Sequence, residues 1–111
     1  MTNDSAERRA QPRKTVLTGT MLVEGVAFPV ADWSRNGFRV RAESGFAAKS
    51  QPFEFVLGIR DSAGTVEVRG RGRIVREAEG FVGGTWDLRK PAEDYVEEIL
   101  SAFLAAGTEP G

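Results

Sequence analysis

Apolar and polar residues alternate with a period of two through most of this chain, and that alternation constrains its fold more than any other feature. From Lys14 to Leu88, short segments place apolar side chains on one face only, as half-buried strands do. Turn signals such as Glu24-Gly25 separate these segments. Six short strands with turns between them predict a mainly β fold, a closed or nearly closed antiparallel β-barrel.

Glycines and a proline interrupt the predicted strands. Gly70, Gly72, Gly83 and Gly84 lie inside strand patterns, where they predict the tight bends or bulges that a small barrel needs. Pro29 has no backbone N–H, which predicts that its strand lies at a sheet edge or at a bulge.

A C-terminal helix is predicted because the apolar period changes after Pro91. Pro91 can open the helix, and Gly107 can end it. One broad apolar stripe recurs at helical spacing: Tyr95, Val96, Ile99, Leu100, Phe103 and Leu104. The stripe either packs on the open face of the barrel or forms a dimer interface, and we favour packing within the chain because a small barrel needs a lid.

The length of 111 residues is that of one domain with one modest core. Residues 1–13 lack apolar periodicity and are predicted to form a flexible N-terminal arm. Residues 14–106 are predicted to form the barrel with its helix, and residues 107–111 a frayed tail.

The composition excludes several classes of function. The chain has no cysteine and no histidine, so disulfides and thiolate or imidazole metal sites are excluded. No nucleophile–base pair can be proposed, and we predict neither enzymatic activity nor a cofactor. No apolar run approaches the roughly 18 residues of a membrane span, and the polar N-terminus is no secretory signal. We therefore predict a cytoplasmic protein without membrane insertion.

The charge distribution favours a small anionic ligand. The net charge is −1, which argues against a protein that coats DNA or RNA. The arginines are nevertheless clustered in the sequence, as in Arg8, Arg9 and Arg13. Local positive patches on a nearly neutral protein suit a small anion better than a long polyanion.

Two short segments have the chemistry of a guanine and phosphate site. They are Arg8-Arg9-Ala10-Gln11-Pro12-Arg13 and Asp32-Trp33-Ser34-Arg35-Asn36-Gly37. A guanidinium fork matches O6 and N7 of guanine and also pairs with phosphate. The Asp32 carboxylate can accept from guanine N1–H and the 2-amino group, and Ser34 can donate to phosphate. Gly37 allows a close backbone approach or a positive φ.

Each segment also has a purely structural interpretation. Arginines four apart on a polar tail are commonly just solvated, and the second segment is commonly a turn in which Asp32 and Ser34 bond to local backbone. Their joint occurrence, before the first strand and between the second and third, favours the functional interpretation.

In this order the segments resemble the two motifs of the PilZ domain, R-x-x-x-R and D-x-S-x-x-G. The PilZ domain is the bacterial receptor module for the second messenger cyclic di-GMP. The resemblance covers about residues 8–104 and implies a six-stranded barrel with a C-terminal helix. It implies that Arg9 and Arg13 bind the dinucleotide together with Asp32, Ser34 and Gly37 of the turn. Arg8 matches a position associated with binding a stacked pair of nucleotides. The run from Gly83 to Trp86 is similar to the family's last core strand.

Some positions near the motifs have open roles. Trp33 stands where the family usually has a mid-sized aliphatic residue, and it either packs in the barrel or stacks on a base near the ligand. Arg35 is a further candidate close to the ligand. The stripe of Arg69, Arg71 and Arg73 is either a solvated strand face or a docking surface for an acidic partner.

The sequence thus predicts a cyclic di-GMP receptor and adaptor. Ligand binding would order the arm, and because no output domain is attached, the protein would signal to an effector protein. The alternative is a PilZ-like protein-interaction scaffold that binds no nucleotide, although such members usually lack one motif. A small barrel for single-stranded nucleic acid ranks last, since most aromatics fall on the predicted inner faces.

Overall fold

The computed structural model describes residues 17–43 and 45–107, and this part of the chain forms a closed antiparallel barrel with one helix. The strands are β1 Thr18–Val23, β2 Val26–Trp33, β3 Gly37–Arg41, β4 Pro52–Asp61, β5 Gly64–Ala78 and β6 Phe81–Leu88. Around the barrel they follow the order β1-β2-β3-β6-β5-β4, and helix α1 spans Asp94–Ala106. The predicted six-stranded barrel with a C-terminal helix is confirmed. The predicted arm, residues 1–13, with Arg8, Arg9 and Arg13, and the end of the tail, residues 108–111, lie outside the described residues.

Two tight turns close hairpins of the barrel, one of them at the predicted Glu24-Gly25. Glu24 and Gly25 between β1 and β2 have φ of 51° and 83°, and Glu79 and Gly80 between β5 and β6 have φ of 54° and 82°. Positive φ at both central residues is typical of the type I′ turn, whose twist matches that of paired strands. Glycine adopts a positive φ without steric cost.

Glycines on β5 make room for phenyl rings of β4. Gly70 pairs with Phe55 and Gly72 with Phe53 in unbroken register, so no bulge lies at these two glycines. A Cβ at Gly72 would lie 2.9 Å from Cζ of Phe53, and one at Gly70 would overlap the Phe55 ring. The irregularity of the β5–β6 pair lies between Ile74 and Arg76, whose register partners on β6 are Gly84 and Gly83, two of the other glycines predicted to mark bends or bulges.

Pro29 lies where β2 has one paired neighbour. In the described chain its register partner is Thr20 of β1, and pairing of β2 with β3 begins only at Val30, beside a register shift before Asp32. The missing N–H therefore costs no bond to β3. Although the barrel is closed, β2 is locally an edge at Pro29, next to a register shift, which is where a residue without an N–H is tolerated.

Helix α1 packs on the barrel, as favoured. Val96, Leu100 and Phe103 are buried in the core, and the Phe103 ring covers Gly19, where a Cβ would lie 2.7 Å from Phe103 Cζ. Tyr95 departs from the predicted stripe, since it is 62% exposed. Pro91 does not open the helix, because the first helical hydrogen bonds run from the Val96 and Glu97 N–H groups to the carbonyl of Glu93, which is the N-cap. The predicted stop Gly107 is the C-cap. No helix in residues 17–43 and 45–107 has the length and apolarity to cross a membrane.

Replacing Gly84 by alanine is expected to destabilise the barrel, whereas the same change at Gly83 is not. A Cβ at Gly84 would overlap the carbonyl of Arg73 and lie 3.1 Å from Cζ of Phe38, but a Cβ at Gly83 would lie an ordinary 3.5 Å from the Phe38 carbonyl oxygen. Overpacking costs about 1–3 kcal/mol, and unstrained surface changes stay within about 0.5 kcal/mol. Urea denaturation of the two variants measures the difference, and equal stabilities would contradict this account of barrel closure.

Candidate functional site

The second motif forms the loop between β2 and β3, and Trp86 of β6 holds that loop. The loop is closed by the Ser34 N–H, which donates to the Gly37 carbonyl at 2.8 Å. The Trp86 indole N–H donates to the carbonyls of Ser34 and Arg35 at 3.0 and 3.2 Å. The Trp86 backbone N–H donates to the carbonyl of Asn36 at 3.1 Å. One residue therefore binds three consecutive loop carbonyls.

Packing in the core fixes the position of the Trp86 side chain that binds this loop. It is only 6% exposed, and its ring centroid lies 5.5 Å from that of Phe38 and 5.9 Å from that of Phe55. A ring packed on two others has little freedom to turn, so the indole N–H has a fixed direction. The sequence predicts Trp86 only as part of a core strand, and no local pattern indicates its bonds to the loop.

The Asp32 carboxylate lies on the barrel surface in an ion pair with Arg39. Asp32 of β2 and Arg39 of β3 are register partners, and Oδ2 of Asp32 contacts Nη2 of Arg39. The Asp32 side chain is 25% exposed, so it remains accessible to a ligand. The structural interpretation expects Asp32 to bond to local backbone. Among the described contacts, its carboxylate instead forms an ion pair across the two strands.

Ser34 and Gly37 complete the turn beside Asp32. The Ser34 hydroxyl accepts a long hydrogen bond of 3.4 Å from the Asn36 N–H, as the turn interpretation expects, and can still donate its own proton. Gly37 has no positive φ, but a Cβ there would lie 3.0 Å from the Gly84 carbonyl oxygen. Of the two predicted roles for Gly37, close backbone approach is the one the structure has.

Trp33 packs against helix α1. Its ring stacks on Phe103 with centroids 4.2 Å apart and planes 3° from parallel, and its indole N–H donates to the Phe103 carbonyl at 2.7 Å. That carbonyl is one of the last four of the helix, which have no partner within the helix. Of its two predicted roles, Trp33 thus has the packing role, although it packs against helix α1 and caps the end of that helix.

The remaining candidates differ in where they lie. Arg35 is exposed in the loop, while Arg8, Arg9 and Arg13 are outside the described residues. The predicted site residues that the structure brings together are Asp32, Ser34 and Gly37. In the described part of the chain, no three acidic side chains converge as a metal site requires.

The stripe on β5 is exposed and partly bonded to its neighbours. Arg71 forms an ion pair of 3.1 Å with Glu54, and Arg73 donates to the Ser50 carbonyl at 2.7 Å. Arg69 and Arg71 also line a groove of about 550 Å³ with Glu24 and Glu54. This groove is lined by both acidic and basic side chains and by none of the predicted site residues. We therefore keep the loop between β2 and β3 as the candidate site.

Comparisons with known proteins identify no relative: no family model, no curated protein and no solved structure matches the chain. The resemblance to PilZ domains therefore rests on the two motifs and on the chemistry of the turn.

Replacing Trp86 by phenylalanine is expected to loosen the loop while the core stays packed. Phenylalanine retains an aromatic ring but removes the indole donor to Ser34 and Arg35, at a cost of about 1 kcal/mol. Hydrogen exchange measured by NMR should become faster at the Ser34 amide than in the wild type.

Trp33→Phe is the matched control, because it also removes one indole donor. Its effect should appear at the Gly107 amide, which bonds to Leu104 at the end of the helix, and leave the loop unchanged. If the loop amides exchange faster in both variants, the indole hydrogen bonds of Trp86 do not specifically stabilise the loop.

Proposed function

We propose that this protein is a cyclic di-GMP receptor of the PilZ type, a bacterial cytoplasmic adaptor that has no catalytic activity. In this proposal the loop between β2 and β3 is the fixed half of the site. The arginines of the N-terminal arm are the other half, and they close on the dinucleotide when it binds.

The observation that carries the proposal is the partly exposed Asp32 carboxylate held beside a rigid turn. Guanine offers two adjacent donors, N1–H and the 2-amino group, and a carboxylate offers two oxygens at a matching separation. Because Arg39 and Trp86 hold Asp32 and the loop, little ordering is needed on this side when the ligand binds.

Positive charge near the turn suits the phosphates of the ligand. Arg39 and Arg41 of β3 both lie over the Phe81 ring on the outer face, with guanidinium carbons 4.4 and 5.3 Å from its centroid. The Ser34 hydroxyl can donate to a phosphate oxygen, and the motif arginines Arg9 and Arg13 can supply bidentate contacts.

Signalling in this proposal works through a change of surface. Closure of the arm over the ligand presents a new surface to an effector protein, a transition from disorder to order. Arg8, by resemblance, would allow a stacked pair of dinucleotides, which predicts that two ligands bind per chain.

Replacing Asp32 by asparagine is expected to weaken binding of cyclic di-GMP at least tenfold. The change turns one acceptor into a donor facing the donors of guanine, and a hydrogen bond to a charged group is worth about 1.5–3 kcal/mol. Isothermal titration calorimetry measures the loss and also the stoichiometry.

Glu67→Gln is the control for this measurement, since it removes one exposed carboxylate on β5 away from the turn. Arg13→Ala tests the other half of the site and should also lose about tenfold or more. Wild-type protein that binds no cyclic di-GMP would instead favour the protein-interaction scaffold.

A further inference from the structure

Arg39 lies outside both sequence motifs, yet it forms an ion pair with Asp32, the residue on which the proposed ligand recognition depends. Its Nη2 pairs with Oδ2 of Asp32, and the two residues are directly opposite on adjacent strands. A role for Arg39 in base selection rests on the proposed function, because Asp32 is the residue that would contact the base.

The Arg39 guanidinium is itself held by an aromatic ring. It lies 4.4 Å from the centroid of Phe81, the register partner of Arg41 on β6. A planar cation on a ring face is stabilised there and loses freedom to move. Phe81 therefore supports Arg39, and Arg39 in turn limits rotation of the Asp32 carboxylate.

The contact leaves the carboxylate able to receive a ligand. An ionised carboxylate has about four lone-pair sites, and a single guanidinium nitrogen at Oδ2 occupies only part of that capacity. Oδ1 and the other face of Oδ2 can accept the two adjacent donors of guanine. Adenine offers a ring acceptor next to one amino donor on the same edge, so it leaves a fixed carboxylate with one unmatched oxygen.

We propose that Arg39 is a positioning residue that orients the Asp32 carboxylate and so sets the preference of the site for guanine over adenine. A carboxylate that rotates freely must lose that freedom to meet two donors at once, whereas it can meet a single amino donor in many orientations. A carboxylate that is fixed by Arg39 binds the ligand with two donors more tightly, because a site built for a donor pair rejects an analogue that lacks one of them.

Arg41 provides a matched control within the same strand. It is also an exposed arginine over Phe81, at 5.3 Å, but the described contacts place no ion pair between it and Asp32. Arg39→Met and Arg41→Met each remove one positive charge and keep an unbranched stem that can lie on the ring. A general loss of positive charge would weaken every cyclic dinucleotide to the same extent in both variants.

The experiment is a calorimetric titration of the full chain with cyclic di-GMP and with cyclic di-AMP. For Arg39→Met we expect the ratio of the two affinities to fall about tenfold, the scale of one charged hydrogen bond. For Arg41→Met the ratio should stay as in the wild type, although both affinities fall. Arg39→Lys keeps the cation and should recover part of the preference for guanine, and thermal unfolding checks that each variant is folded.

The outcomes separate the positioning role of Arg39 from the proposed function. If the wild type binds cyclic di-GMP and the affinity ratio of Arg39→Met equals that of Arg41→Met, the positioning role is wrong and the receptor function stands. Tighter binding of cyclic di-GMP by Arg39→Met would also overturn the role, because Arg39 would then be a competitor for Asp32. If the wild type binds neither dinucleotide, the proposed function fails and the positioning role fails with it.

Discussion

The hydrogen bonds of Trp86 join the loop between β2 and β3 to the core, and the arrangement of the candidate site depends on them. The ring is packed between Phe38 and Phe55, while its two N–H groups bind the carbonyls of three consecutive loop residues. A loop whose carbonyls are already satisfied has few alternative conformations at low energy. Its side chains can therefore meet a ligand in a preset arrangement, which lowers the entropic cost of binding.

Successive residues of β2 connect this loop to two parts of the molecule. Asp32 faces Arg39 on the barrel surface, and Trp33, the next residue, stacks on Phe103 of the helix. Alternation along a strand explains why neighbouring side chains take opposite directions. The residue that would bind ligand and the residue that caps the helix are thus adjacent in β2. The end of the helix therefore contacts the strand that carries Asp32.

Local patterns predict much of this structure, while cross-strand register decides the rest. Period-two alternation and the turn at Glu24-Gly25 are local, so the six strands could be predicted, although their order around the barrel was not. The contact of Arg39 with Asp32 is evident only when Trp33 is known to lie opposite Phe38, and no local pattern specifies that register. For the same reason the sequence predicts bends or bulges at Gly70 and Gly72 of β5, but not that these glycines accommodate rings from the strand beside them.

An NMR titration of the labelled full chain with cyclic di-GMP tests the central claim most directly, namely that the loop held by Trp86 is the binding surface. The chain has two tryptophans, so each indole N–H gives a separate signal. We predict saturable shifts for the Trp86 indole and for the amides from Ser34 to Gly37, and for the Asp32 amide. Loop and indole signals that stay in place at saturating ligand, or shifts confined to another face of the barrel, would contradict the account.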